Sequence, residues 1–227
     1  MNELNKYLDA AILKPEFTRD ETIAAIKACI ELKTFSVCVR PCDIELAQEY
    51  CKDTETAVCV VLGFPHGDQL TVSKAQEARQ YIELGVDEID MVANYGWVKS
   101  GQWDLVKTDI EAVAQQTKAA GIVSKVIFET AQLEQEQIKQ LVEICIEAGA
   151  DFVKTSTGFN GAGAQVNDVQ LMLDTAAGRI KVKPSGGIRD TAQAQGFIDM
   201  GAHRLGLGWN ACEAVCKGSA PNSTSGY

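Results

Sequence analysis

Three lysines lie in apolar, β-branched stretches of the chain, where a positive charge is costly to bury. They are Lys125 in "VSKVIFET", Lys154 in "DFVKTST" and Lys183 in "IKVKPSGG", and 29 residues separate each from the next. Buried lysine is rare, so a strand lysine is retained either because it pairs with a carboxylate or because it takes part in chemistry. For one lysine the two explanations are equally good, whereas three in series favour chemistry.

The chemistry available to neighbouring lysines is that of a free amine. Two ammonium groups that lie close together repel each other, and desolvation adds to this effect, so one of them can lose its proton near neutral pH. A free amine attacks a carbonyl carbon and forms a protonated Schiff base. That group withdraws electrons and allows a carbon–carbon bond to be made or broken without a metal.

Two aspartates occupy comparable positions in other apolar stretches and could move protons. Asp9 lies in "YLDAAIL" and Asp90 in "DEIDMVAN". Either could simply pair with a lysine, and either could relay protons between water and a substrate hydroxyl. We expect Asp90 to act in proton relay, and Asp9 to hold a substrate hydroxyl and balance charge.

The elements that would position these residues alternate between short apolar runs and longer amphipathic ones. Helix-like segments include one opening at Thr18 and one ending at Gly149. Eight βα units predict a parallel sheet closed as a single (β/α)8 TIM barrel, with an open sheet as the alternative. The barrel is expected over residues 1–217 and a mobile C-terminal tail over 218–227. The predicted strands are 7–13, 35–40, 56–63, 88–94, 123–130, 151–157, 180–186 and 204–208.

Glycines collect after the predicted strands, at the end of a barrel where ligands bind. They occur in "GFPHG", "STGF", "SGGIR" and "GLGWN". Backbone N–H groups at glycines can approach an anion closely, and a helix N-terminus adds partial positive charge. The strongest case is "SGGIR", where Gly186 and Gly187 precede a predicted helix and Arg189 adds a cation.

Composition excludes several other classes of protein. The 227 residues carry a formal net charge of −10 without a basic run, which argues against a nucleic-acid partner. None of the eight cysteines forms a C-x-x-C pair and there are only two histidines, so we expect no metal and no cofactor. No run approaches the roughly 18 apolar residues of a membrane span, and the N-terminus lacks a signal-peptide pattern. A cytoplasmic enzyme is expected.

The motifs "SVCVRP", "GFPHG", "EIDMVANYG", "KVIFET", "GADFVKTSTGF" and "VKPSGGIR", in this order, cover almost the whole chain. In them the chain resembles the deoxyribose-phosphate aldolases, which are class I aldolases on a (β/α)8 barrel. The resemblance implies reversible, cofactor-free cleavage of 2-deoxyribose 5-phosphate into acetaldehyde and glyceraldehyde 3-phosphate. It also suggests a homodimer.

Carried to this sequence, the resemblance implies that Lys154 forms the Schiff base and that Lys183 lowers its pKa. It implies proton relay by Asp90 and a place beside the substrate hydroxyl for Asp9. The remaining implied residues line the site or serve at its edge: Lys125 and Cys38 in the pocket, Gly158, Gly186, Gly187 and Arg189 toward the phosphate, and Tyr227 in proton exchange or in plain disorder.

Two stretches depart from the family pattern. Ala10 and Ala11 follow Asp9 where the family commonly has His-Thr, which removes a hydroxyl from the pocket. Gly208 and Trp209 stand where the family has a serine pair that grips the phosphate. Each lost donor is expected to cost about 1 kcal/mol. Trp209 either faces the pocket and obstructs the phosphate or turns outward and packs on the barrel wall.

Retained aldolase chemistry with weakened phosphate discrimination is therefore the main expectation. The same departures leave open a Schiff-base aldolase of another, unphosphorylated aldehyde. A non-catalytic sugar-binding barrel is the third alternative, and the intact set of Lys154, Lys183 and Asp90 argues against it.

Overall fold

The computed structural model describes residues 3–218, which fold into a barrel of eight parallel strands surrounded by helices. Every strand lies inside a stretch predicted from the sequence. The strands are β1 (Leu8–Ile12), β2 (Ser36–Val39), β3 (Ala57–Leu62), β4 (Glu88–Val92), β5 (Val123–Ile127), β6 (Phe152–Lys154), β7 (Lys181–Lys183) and β8 (Leu205–Gly208).

One or two helices follow each strand. They are α1 (Arg19–Glu31), α2 (Ile44–Cys51), α3 (Thr71–Glu83), α4 (Tyr95–Lys99), α5 (Trp103–Ala120), α6 (Gln135–Ala148), α7 (Val166–Ala176), α8 (Thr191–Asp199) and α9 (Trp209–Lys217). Short 3-10 helices span Glu3–Tyr7, Pro41–Asp43 and Thr130–Gln132. None of the helices within residues 3–218 combines the length and the apolar character needed to cross a membrane.

Local sequence signals determine where the helices begin and end. Thr18 is the N-cap of α1, as predicted, in a capping box: its side chain accepts the Glu21 N–H, while the Glu21 carboxylate accepts the Thr18 N–H at 2.8 Å. Gly149 ends α6, also as predicted.

The sheet is closed, so the open-sheet alternative is wrong. Neighbouring strands pair in the order β7-β6-β5-β4-β3-β2-β1-β8. At the remaining seam, the Gly186 N–H donates to the Gly206 carbonyl at 2.9 Å and the Gly206 N–H donates to the Pro184 carbonyl at 2.8 Å. These bonds join the chain just after β7 to β8 and complete the barrel.

Glycine is required at position 206 because the seam packs tightly. A Cβ there would overlap Ser185 Oγ and would lie 2.9 Å from Ser185 Cβ and 3.2 Å from Lys183 Cε. The missing side chain therefore leaves room inside the barrel for the stem of Lys183.

The apolar core lies between the strands and the helices, not at the barrel axis. In β1, for example, Leu8, Ala10 and Ile12 belong to this outer core, whereas Asp9 and Ala11 point inward. Inward positions at the bottom and centre of the barrel are largely charged. The barrel interior is therefore available for chemistry while the outer layer supplies most of the apolar burial.

The predicted tail, including Tyr227, lies outside the described residues, apart from Gly218, which caps α9. The division into a barrel over 1–217 and a tail over 218–227 stays a prediction.

Candidate active site

The three strand lysines all point into the barrel and are buried. Lys154 and Lys183 are direct register partners on β6 and β7. Lys125 on β5 pairs instead with Phe152, two residues before Lys154. Although the three lysines are evenly spaced in sequence, the strand register therefore sets Lys125 two residues lower in the barrel than Lys154 and Lys183.

Asp90 contacts all three lysines. Its Oδ2 lies 2.8 Å from Nζ of Lys154 and 2.8 Å from Nζ of Lys183, and its Oδ1 lies 2.8 Å from Nζ of Lys125. Asp9 Oδ2 pairs with Lys183 and lies 3.7 Å from Lys125 Nζ. The three lysines and two aspartates that the sequence analysis singled out are thus all connected by contacts.

Sequence reasoning missed three members of this group: Glu88, Arg204 and Ser36. Glu88 Oε2 lies 2.5 Å from Lys125 Nζ. Arg204 binds Asp9 Oδ1 at 2.6 Å and also pairs with Glu88. The Ser36 hydroxyl donates to Asp9 Oδ1 at 2.7 Å. Strand alternation was the available signal for Glu88, because a residue two positions before Asp90 shares its face.

We refer to the seven ionisable members as the charged cluster: Asp9, Glu88, Asp90, Lys125, Lys154, Lys183 and Arg204. Within the described part of the chain, three carboxylates therefore face four cationic groups. Full protonation of the bases leaves one uncompensated positive charge in a buried site, which is unfavourable. The cluster becomes neutral when one lysine is a free amine.

The same contacts shift the pKa of several members. Burial raises the pKa of Asp9, but attraction to Lys183, Lys125 and Arg204 outweighs it and lowers the value to about 2. Burial also raises the pKa of Asp90, but attraction to Lys125, Lys154 and Lys183 outweighs burial and holds that pKa well below its usual range. For Lys125, burial is outweighed by attraction to Asp90 and other acids, so its pKa lies well above the ordinary value. Lys125 is therefore unsuited to be the free amine.

Two cysteines lie beside Asp90. Cys38 on β2 and Cys59 on β3 are register partners, and both are buried. Cys59 Sγ is 3.2 Å from Asp90 Oδ1 and 3.6 Å from Lys125 Nζ. A hydrogen bond with Cys59 lowers the pKa of the Cys38 thiol against the opposing effect of burial, while burial raises the pKa of Cys59 well above its ordinary value.

The mouth of the barrel lies above these groups. On the side of β1 and β3 it holds a cavity of about 360 Å³, lined in part by Leu13, Val61, Phe64 and Phe159. Ser156 lies two residues beyond Lys154, past the end of β6, and its buried hydroxyl has no hydrogen-bond partner among residues 3–218. A ligand above Lys154 could therefore satisfy a hydroxyl that sequence reasoning did not single out.

In the loops expected to hold an anion, some backbone N–H groups already donate hydrogen bonds within the protein. Gly158, Gly186 and Gly187 have φ of +83°, +82° and +76°, a backbone conformation that favours glycine. The Gly186 N–H, however, closes the barrel. Arg189 is exposed and its N–H donates to Gln193 Oε1 at 2.9 Å. The Asp190 carboxylate caps the first turn of α8 by accepting the Gln193 N–H.

The residues that depart from the family pattern do not all face the same side of the barrel wall. Trp209 lies half-buried on α9, and together with Ala28 of α1 and Leu32, which caps α1, it lines an outer cleft of about 350 Å³. Of the two orientations left open, the structure has the outward one. Ala11 points into the barrel and Gly208, its partner on β8, shares the inward register of Gly206. Ala10 packs in the outer core.

A closed (β/α)8 barrel with lysines held against a buried carboxylate at its centre defines an enzyme of the aldolase class. The sequence profile of the DeoC/LacD family aldolases matches residues 6–210, and the chain belongs to that family.

Relatives of known name agree with this assignment. A deoxyribose-phosphate aldolase of Mannheimia succiniciproducens is 46% identical over 225 residues, which cover 99% of this chain and 98% of the relative. The solved structure of QR15, an aldolase, has a TM-score of 0.89 and 41% identity and covers 96% of this chain and 97% of the other. A tetrameric deoxyribose phosphate aldolase of Aeropyrum pernix has a TM-score of 0.87 and 25% identity, with 96% and 92% covered.

Proposed function

We propose that the chain is a class I aldolase that reversibly cleaves 2-deoxyribose 5-phosphate into acetaldehyde and glyceraldehyde 3-phosphate. The observation that carries the proposal is the shared contact of Lys154 and Lys183 with Asp90 Oδ2, each at 2.8 Å, in a cluster with one excess positive charge. Family membership and the names of the relatives support the substrate.

Lys154 is assigned as the nucleophile because of its position and its surroundings. Its side chain is 4% exposed, against 1% for Lys183 and 0% for Lys125, so it is the most accessible of the three. The ammonium of Lys183 beside it disfavours a second positive charge. The free amine of Lys154 adds to C1 of the open-chain sugar, and loss of water gives a protonated Schiff base.

Cleavage then follows from the electron demand of that Schiff base. A base removes the proton of the C3 hydroxyl, the C2–C3 bond breaks, and its electron pair moves toward the nitrogen to give an enamine. Glyceraldehyde 3-phosphate leaves with C3 as its aldehyde carbon. Protonation of the enamine at C2 and hydrolysis by water release acetaldehyde and restore the amine.

We assign the relay of these protons to Asp90 because its surroundings change during the cycle. While Lys154, Lys183 and Lys125 are all charged, its pKa is held far below neutral. When the Schiff base becomes an enamine, the positive charge at Lys154 disappears and the proton affinity of Asp90 rises. Asp9 is kept ionised by Lys183 and Arg204 and fixes the position of Lys183.

Phosphate recognition is proposed to be present but weakened. Gly158, Gly187 and Arg189 remain as candidate phosphate-binding residues, while the hydroxyls absent at Ala11 and Gly208 belong to inward positions. The outward Trp209 removes the steric objection to a phosphate. A neutral deoxysugar or aldehyde is the second candidate substrate, supported by the same two positions.

Borohydride trapping tests the proposal. Acetaldehyde and borohydride should add one ethyl group to Lys154, located by mass spectrometry of peptides. Lys154→Met should abolish the label, while Lys139→Met, a change at an exposed lysine paired with Glu136, should keep it. Labelling at a different lysine, or none in the folded protein, would contradict the assignment and favour a non-catalytic barrel.

A homodimer, a cytoplasmic location, the absence of nucleic-acid and membrane partners, and a role of Tyr227 in proton exchange are kept as predictions. The Tyr227 prediction concerns residues outside the described part of the chain.

A further inference from the structure

Two thiols and a carboxylate converge inside the barrel from three adjacent strands. Cys38 on β2, Cys59 on β3 and Asp90 on β4 each place a ligand atom within 4.8 Å of the other two, and all three residues are buried. We propose that these residues form a binding site for a soft divalent metal ion such as Zn²⁺ or Cd²⁺, and that the bound ion inhibits the enzyme.

The spacing suits such an ion. Zinc binds thiolates at about 2.3 Å and carboxylate oxygens at about 2.0 Å in tetrahedral geometry, which separates neighbouring ligand atoms by roughly 3.5 to 3.8 Å. Cys59 Sγ and Asp90 Oδ1 are 3.2 Å apart, so the ion needs only small adjustments. Thiolate ligands select Zn²⁺ and Cd²⁺ over Mg²⁺ and Ca²⁺. The fourth position is left for water.

The positive charges nearby do not exclude the ion. Lys125, Lys154 and Lys183 all contact Asp90, so a bare addition of two positive charges would be repelled. Binding converts two thiols and one M²⁺ into a dithiolate complex and two released protons. The total charge of the site is therefore unchanged, and Lys125 keeps its 2.5 Å contact with Glu88.

The site adjoins the mouth of the barrel. Val61, which lines the cavity of about 360 Å³ there, is two residues beyond Cys59 on the same inward face. An ion on Asp90 would compete with Lys125 for Oδ1 and fill space beside Lys154. The binding site stands independently of the proposed function, whereas inhibition of the enzyme rests on it.

A spectroscopic titration tests the site without using activity. The full chain carrying Cys42→Ser is used, because Cys42 is an exposed thiol that could bind ions at the surface. Cd²⁺ should produce a thiolate-to-cadmium charge-transfer absorption that saturates at one ion per chain, and Mg²⁺ should produce none. Adding Cys59→Ser should weaken binding at least about tenfold. Adding Cys145→Ser, a buried cysteine on α6, should leave it unchanged.

Full retention of the absorption in Cys59→Ser, or its absence in the parent protein, would overturn the proposal. If Cys59→Ser does not fold, Cys38→Ser removes the partner thiol, and the same tenfold weakening is expected. The Cys145→Ser control shows whether loss of any buried cysteine has this effect.

Enzyme kinetics test the inhibition. Zn²⁺ should inhibit sugar-phosphate cleavage, and a chelator should reverse the inhibition. Each protein is compared with its own uninhibited rate, and the Zn²⁺ concentration that halves this rate should be at least about tenfold higher for Cys59→Ser. Equal inhibition of both proteins would refute this part. Cadmium binding by a protein without aldolase activity would instead contradict the proposed function and leave the metal site standing.

Discussion

The Nζ atoms of Lys154 and Lys183 lie at the same distance, 2.8 Å, from one oxygen atom, Oδ2 of Asp90. Lys183 also pairs with Asp9, but the four cations of the charged cluster outnumber its three carboxylates, so the shared contact at Asp90 favours the loss of one proton. The two lysines therefore act as a unit, and a change in one should alter the reactivity of the other.

Lys183→Met should slow the reaction although Lys154 is intact. Loss of the neighbouring ammonium makes the charged form of Lys154 more favourable, so less free amine is present at neutral pH. We expect kcat to fall about 10² to 10⁴-fold. The rate of borohydride trapping by acetaldehyde should fall at neutral pH and recover as the pH is raised. A trapping rate with an unchanged pH profile would show that Lys183 does not act on Lys154.

Glu88→Gln should destabilise the protein because it removes a carboxylate shared by Lys125 and Arg204. Breaking a buried pair by removal of one partner typically costs about 3 to 5 kcal/mol. The double variant Glu88→Gln/Arg204→Met restores the charge count and should recover part of that loss. Urea unfolding of the single and double variants measures the coupling, and strict additivity would argue against it.

Acid should destabilise the protein through Asp9. Its pKa is lowered from 3.8 to about 2 on folding, so its stabilising contribution is fully present above about pH 4 and is lost as the pH falls toward 2. The expected size is about 2 kcal/mol. In Asp9→Asn, the free energy of unfolding should be lower than in the parent protein above about pH 4 and should fall less steeply as the pH decreases toward 2. Parallel curves for the two proteins would contradict the assignment.

Gly208→Ser should raise the preference for a phosphorylated substrate. Gly208 has φ of −59°, which serine adopts without strain, and it lies at the inward register of β8. One added hydroxyl contact is worth about 1 kcal/mol, or roughly fivefold in the kcat/KM ratio of 2-deoxyribose 5-phosphate to 2-deoxyribose. Trp209→Ser is the matched control: because Trp209 packs against the outer apolar core, this change should reduce stability and leave that ratio unchanged.

Lys74 provides a test of the difference between a structural and a reactive buried lysine. It lies outside the barrel, pairs with Asp109 at 2.5 Å and donates to the Val92 carbonyl at 3.0 Å. Lys74→Met should cost about 3 to 5 kcal/mol in the free energy of unfolding because Asp109 loses its counter-ion. The folded fraction should still be labelled by acetaldehyde and borohydride. If the Lys74→Met protein is fully folded and yet is not labelled, Lys74 does not have a purely structural role.

The sequence contained enough to predict the eight strands and the closed barrel, because apolar runs and amphipathic segments alternate regularly. It also singled out Lys154, Lys183 and Asp90, which the structure brings into contact, since charged residues within apolar strands are conspicuous. Arg204 escaped notice because it precedes β8 at the edge of the apolar run, where a charge is unremarkable.

What could not be predicted depends on strand register and side-chain direction. Cys38 and Cys59 are 21 residues apart and come together only because their strands pair in one particular register. The depth of Lys125 depends on the same property. Trp209 follows the end of β8, and whether it points inward or outward depends on how α9 packs against α1.

The separation of a charged interior from an apolar outer layer places adjacent residues under different evolutionary pressures. In β1, Ala10 contributes to the packing that keeps the barrel folded, whereas Ala11 beside it faces the reacting groups. Substitutions at outward positions are constrained mainly by volume, and those at inward positions mainly by the substrate. A lineage can therefore explore new aldehydes through alternate residues of its strands while the layer that folds the chain stays intact.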